Sequence, residues 1–211
     1  MKKVLLLYGF CGKSDIWNKS ESAFRGMEIV KAAYPREITA AAKNVSDITK
    51  WIYEKYGCDF DFIIGHSMGG LIALQLAANF IFNCRAVIFI ESNLRPANAF
   101  YRNLLMPDNM VKFGKELIKS MKKESEFYTV ELKSALQENF DYSQLIDNIK
   151  CEIYGIYGDR GIENYAARID DLRLDKKTTD KIKFKFVKNS CHMPMLENSE
   201  DFVKIIKECL Q

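Results

Sequence analysis

Between Phe60 and Phe80 the sequence FDFIIGHSMGGLIALQLAANF changes its periodicity with no room for a loop. Phe60–Ile64, apolar except for Asp61, is of strand length, and Gly69–Phe80 is helix-like, carrying Leu71, Ile72, Leu74, Leu76 and Ala77. Only Gly65-His66-Ser67-Met68 separates them, so a strand must turn directly into a helix. An apolar strand followed at once by a helix opens a βα unit, and such units build parallel sheets covered on both sides.

The rest of the chain repeats this alternation. Lys3–Tyr8, Arg85–Ile90 and Cys151–Tyr157 are further apolar strand candidates, and Met27–Ala32 is a weaker one. Lys181–Val187 alternates lysine with apolar residues, as an edge strand does. Thr39–Tyr56 reads as a helix, with Val45, Ile48, Trp51 and Ile52 on one face and Gly57 as its stop. Ser199–Leu210 places Phe202, Ile205, Ile206 and Cys209 on one helical face. The expected architecture is α/β: a mostly parallel sheet of about six strands with helices on both faces.

One region breaks the rhythm. From Arg95 to Asn148 no strand stands out, and helix formers and large apolar residues dominate. At about fifty residues it is too long for a plain connection, so it reads as a helical insertion. This divides the chain into a core, 1–94 and 149–211, and an inserted helical segment, 95–148. Its apolar residues can line a pocket or form a small core of their own.

Bulk properties set limits on function. Net charge is only +3, too small to argue for nucleic acid or an anionic membrane surface. Met1-Lys2-Lys3 resembles the start of a signal peptide, but the apolar run behind it ends at Tyr8, short of the ~7 residues a secretory core needs. No run approaches the ~20 apolar residues of a membrane span, and a cytoplasmic protein is expected. The six cysteines form no Cys-x-x-Cys pair, which fits reduced thiols rather than zinc or a disulfide scaffold. With only two histidines, His66 and His192, a His-rich metal centre is not expected, and any histidine base must be one of these.

Two glycine loops bear on chemistry. The first, Tyr8-Gly9-Phe10-Cys11-Gly12-Lys13-Ser14, ends like a phosphate-binding loop. That loop needs four residues between its first glycine and Gly-Lys-Ser, and the position that should be glycine is Leu7. Its N–H groups suit an oxyanion better than a phosphate. The second, Gly65-His66-Ser67-Met68-Gly69, is Gly-x-Ser-x-Gly between a strand and a helix, the context that thrusts a serine hydroxyl out of a sheet. A serine there needs a base, and His66 is constrained inside the turn.

With GHSMGG, LLLYGFCG before it, and GDRG and CHMP after it, the chain resembles the α/β-hydrolase family over nearly its whole length, in the order serine, acid, histidine. The resemblance implies Ser67 as nucleophile, His192 as base, and an oxyanion hole from the backbone N–H groups of Phe10 and Met68. Tyr8 stands where the family usually has a histidine. The acid is Asp159 by the usual family position, just past Cys151–Tyr157, with Glu91 as the alternative, since some members place the acid there. The insertion lies where the family carries its lid. The chain lacks the two antiparallel strands that larger relatives place first, so a minimal version is expected.

The implied activity is cleavage of a small carboxylic ester or acyl-thioester, with no metal or organic cofactor. Basic side chains outnumber acidic ones across Arg95–Lys123, which suits either a solvated helix face or an acidic carrier protein. A carbon–carbon hydrolase, a lyase-like synthase or an inactive interaction protein could use the same scaffold.

Overall fold

The computed structural model describes residues 1–80, 83–137, 140–162 and 165–211. Residues 138 and 139, within the inserted segment, lie outside this set. Six strands, β1 (Lys3–Leu7), β2 (Glu28–Lys31), β3 (Phe62–His66), β4 (Ala86–Ile90), β5 (Glu152–Gly158) and β6 (Lys183–Val187), form one sheet in the order β2-β1-β3-β4-β5-β6. All five pairings are parallel. The central strands β3 and β4 are buried along their whole length, which is why their sequences show no polar alternation. The edge strands β2 and β6 are half-exposed and carry the lysines.

The main helices are α1 (Val45–Tyr56), α2 (Met68–Asn79), α3 (Lys115–Ser125), α4 (Val130–Ala135) and α5 (Ser199–Cys209). α1 packs on α2, while α5 packs on the 3₁₀ segment Ser14–Phe24. The helix expected over Thr39–Tyr56 begins later than the apolar spacing suggests. Arg36–Thr39 makes a separate turn, and α1 starts at Val45 because Asn44 and Asp47 cap it reciprocally. Gly57, at φ 72°, ends it as expected.

The register positions the chemistry. His66 of β3 pairs with Ile90 of β4, and Ile90 with Ile156 of β5. Ser67 and Glu91 therefore emerge together, one residue past the same rung. Asp159 lies further along its strand, two residues beyond the Tyr157 that is level with Glu91.

The chain between β4 and β5 divides its apolar residues between two tasks. Tyr101, Leu105, Leu132 and Ile146 are buried in the common core. Leu117 and Met121 of α3 face a cavity over the sheet instead. The α3 lysines 115, 119, 122 and 123 are exposed, as on a solvated helix face.

Candidate active site

The turn from β3 to α2 holds Ser67 at φ 54°, ψ −123°, a conformation that costs a non-glycine residue about 1–3 kcal/mol and persists only where its surroundings impose it. The surroundings do so here. Ser67 N–H donates to Ile90 O at 2.8 Å, and Ser92 Oγ donates to Ser67 O at 2.7 Å. A Cβ on Gly65 would lie 2.0 Å from Gly69 O, so the turn can be this tight only without one. Cys11, Glu91, Arg160 and Asn189 also have positive φ, so backbone strain gathers around one end of the sheet.

The loop after β1 approaches Ser67 from the side. A Cβ on Gly9 would be 2.8 Å from Ser67 Cβ, so glycine sets that closeness. Tyr8 anchors the loop: its Oη accepts from Tyr34 N–H at 2.8 Å, Tyr34 Oη donates to Tyr8 O at 3.0 Å, and the rings are 4.1 Å apart. Among the described residues, the N–H groups of Phe10 and Met68 have no acceptor. Met68 opens α2, where free N–H groups and the helix dipole favour negative charge.

His192 follows β6 and lines the same cavity as Ser67. Its backbone N–H reaches Asn103 O at 3.3 Å and Leu104 O at 3.2 Å, and its carbonyl accepts from His66 Nε2 at 2.7 Å. Because a carbonyl can only accept, His66 carries its proton on Nε2. Burial, aided by the neighbouring His192, drives the His66 pKa down to about 3, so this ring is a neutral brace. Among the described residues, Ser67 Oγ makes no hydrogen bond to His192; catalytic hydrogen bonds of this kind often tighten only when substrate binds.

Two carboxylates were candidates to orient His192, and the structure brings only Glu91 to it. Glu91 Oε2 is 3.6 Å from His192 Nδ1. Glu91 is buried and is bound by Arg160 through Nη1 at 2.5 Å and Nη2 at 2.7 Å, and by Gly158 N–H at 2.6 Å. Burial alone would raise its pKa, but the Arg160 charge and hydrogen bonds, with His192, outweigh it and hold the carboxyl below its ordinary value. Asp159, preferred from the sequence, is turned elsewhere. Its Oδ1 accepts from Gly161 N–H at 2.8 Å and Asn189 N–H at 2.6 Å, bracing two loops at the surface.

Three further residues support the site, and of these only His66 had been considered from the sequence. Arg160 fixes Glu91. His66 holds the His192 backbone. Glu197 joins the His192 loop to the inserted segment, accepting from Cys191 N–H at 2.7 Å and Met106 N–H at 2.6 Å. Cys191 is not a nucleophile in waiting: burial pushes its thiol up to about 12.

The cavity above these groups has a volume of about 400 Å³. Ser67, His66, His192 and the Phe10–Gly12 loop form its floor, and Ile16, Leu117, Met121, Met193 and Leu196 give it apolar walls. Lys13, Asp15, Asn18 and Lys19 also line it.

Residues 11–114 match a family model described as the alpha/beta hydrolase fold. With the six-stranded parallel sheet, this gives the chain the α/β-hydrolase fold. It is similar to the enol-lactonase from Burkholderia xenovorans LB400, at 16% identity and TM-score 0.72, covering 99% of this chain and 91% of that one. A bromoperoxidase from Bacillus anthracis matches at 12% identity and TM-score 0.74, covering 99% and 91%. The carboxylesterase CesB (YbfK) from Bacillus subtilis matches at 16% identity and TM-score 0.63, covering 99% and 83%. At these identities the likeness is one of fold. No curated protein sequence matches the chain significantly. Among the described residues, no helix is long and apolar enough to cross a membrane.

Proposed function

We propose that the protein is a serine hydrolase that cleaves a small carboxylic ester or acyl-thioester through an acyl-enzyme. The observation that carries this reading is the strained Ser67, set between the unused N–H groups of Phe10 and Met68 in a cavity it shares with His192. The fold family, and the carboxylesterase and lactonase among its structural relatives, support hydrolysis as the reaction type.

In this mechanism Ser67 Oγ attacks the substrate carbonyl while His192 Nε2 takes its proton. Glu91 is the acid of the triad: it faces Nδ1, keeps the proton on that nitrogen and stabilises the imidazolium. The carbonyl oxygen, now negative, is held by the N–H groups of Phe10 and Met68. His192 returns the proton to the leaving oxygen or sulfur, and water then releases the acyl group by the reverse sequence. The apolar walls receive the acyl chain, with the chain between β4 and β5 acting as the lid that carries Leu117 and Met121.

The test is hydrolysis of p-nitrophenyl esters and acyl-thioesters of graded chain length by the wild type and Ser67→Ala. The proposal expects turnover that falls at least about 10⁴-fold in the variant. Equal rates in the two proteins would remove it.

A further inference from the structure

At the other end of the sheet, Cys84 precedes β4 and Cys151 precedes β5. Their Sγ atoms are 2.8 Å apart. Ala86 pairs with Glu152, and Glu152 N–H donates to Arg85 O at 3.1 Å, so both cysteines stand just outside the first rung of a parallel pair. Neighbouring strands run about 4.8 Å apart, within the Cα separations a disulfide tolerates. Both side chains are half-buried rather than sealed in the core.

We propose that Cys84 and Cys151 are a modification site: a dithiol that hydrogen peroxide converts to an intramolecular disulfide. The Cys151 sulfur attacks one oxygen of hydrogen peroxide: an S–O bond forms, the O–O bond breaks, the other oxygen leaves with the thiol proton as the first water, and Cys151 becomes a sulfenic acid. The Cys84 thiol then attacks that sulfur, the S–S bond forms and the second water departs. Two electrons pass from the thiols to the peroxide.

The surroundings favour this order. The Cys84 S–H donates to Cys151 Sγ, which holds Cys151 below the ordinary thiol range and pushes Cys84 above it. Cys151 is thus the sulfur of the pair that gives up its proton more readily for attack on peroxide. The bridge would close a loop of about 70 residues, a length at which crosslinks give large entropic stabilisation. That loop contains all of segment 95–148 and leaves β4 and β5 joined at their base. The site lies roughly 20 Å of strand away from Ser67 and Glu91, and it rests on no reading of the active site.

The experiment uses the Cys58→Ser protein, which lacks the exposed thiol. Hydrogen peroxide is added at a dose that oxidises glutathione in a parallel tube, then quenched with catalase. Thiols are counted under denaturation, tryptic peptides are mapped without reductant, and melting is recorded before and after. The expected result is a loss of two thiols and a crosslink joining residues 56–85 to residues 151–160. Melting should rise by about 5–10 °C, and dithiothreitol should reverse the change. Cys84→Ser and Cys151→Ser, each in that background, should show neither crosslink nor rise. Retention of all thiols, or a crosslink between other cysteines, would overturn the proposal.

Discussion

Replacing Arg160 with methionine removes the cation from a carboxylate that has almost no contact with water. The Glu91 side chain is 1% exposed and that of Arg160 3%. The substitution strips two charge-assisted hydrogen bonds from Glu91, leaving it only Gly158 N–H and the distant His192 Nδ1. Removing one partner of a buried pair costs about 3–5 kcal/mol, because the remaining charge stays desolvated. For a domain of this size that is a fall in Tm of about 6–20 °C at pH 7. The sign of the pH dependence follows from Glu91. In the wild type its pKa is lowered on folding, so its contribution is present above the unfolded value of about 4.3 and lost as pH falls through the folded value. In the variant, burial without the cation raises the folded pKa, so the penalty exists at high pH and is relieved once Glu91 is protonated. The gap between variant and wild type should therefore be widest near neutral pH and close towards pH 4. Replacing both residues, Glu91→Gln with Arg160→Met, should recover much of the loss in melting but no esterase activity. Calorimetric or fluorescence-monitored melting from pH 4 to pH 8 reads all three proteins. A Tm for Arg160→Met within 2 °C of wild type at pH 7 would refute the argument, as would a gap that does not change with pH.

Other outcomes follow from the same contacts. Asp159→Asn should keep ester hydrolysis within about fivefold of wild type, whereas Glu91→Gln should lower kcat by about 10³-fold or more, as loss of a triad acid does. Since His66 titrates near pH 3 when folded but near 6.5 when unfolded, stability should fall by up to about 1.4 kcal/mol per pH unit as pH drops below 6.5, and His66→Gln should flatten that slope in urea titrations. Gly65→Ala would place a methyl 2.0 Å from Gly69 O, and it should yield no folded protein by circular dichroism. Met121→Trp should fill part of the cavity, lowering kcat/KM for long acyl esters at least tenfold relative to acetyl esters.

The elements that carry most local signal were the ones legible in the sequence. β3, the Gly65–Gly69 turn and α2 appear in one uninterrupted stretch, because a buried strand and a buried helix follow each other there with no loop between them. The start of α1 was misplaced because apolar spacing runs on through Thr39–Ala42, while the boundary is set by the Asn44–Asp47 cap, a three-residue spacing that was there to be read. The acid could not be read in the same way. Glu91 and Asp159 each follow a strand, in ESNL and GDRG. Which one turns inward depends on the offset between β4 and β5 and on an arginine 69 positions from Glu91. In the sequence Arg160 is no more than the neighbour of Asp159 in GDRG. Its role appears only once folding brings the two strand ends together, as does that of Glu197, whose partners lie on two separate loops.

The central claim is that a hydroxyl at the β3–α2 turn is activated by the imidazole after β6. Labelling with a fluorophosphonate, followed by peptide mapping, tests it most directly. The account predicts a single adduct on Ser67, formed with the intact protein and reduced at least about 10³-fold in rate by His192→Ala. An adduct on any other residue, or labelling of Ser67 that proceeds equally fast without the imidazole, would contradict it.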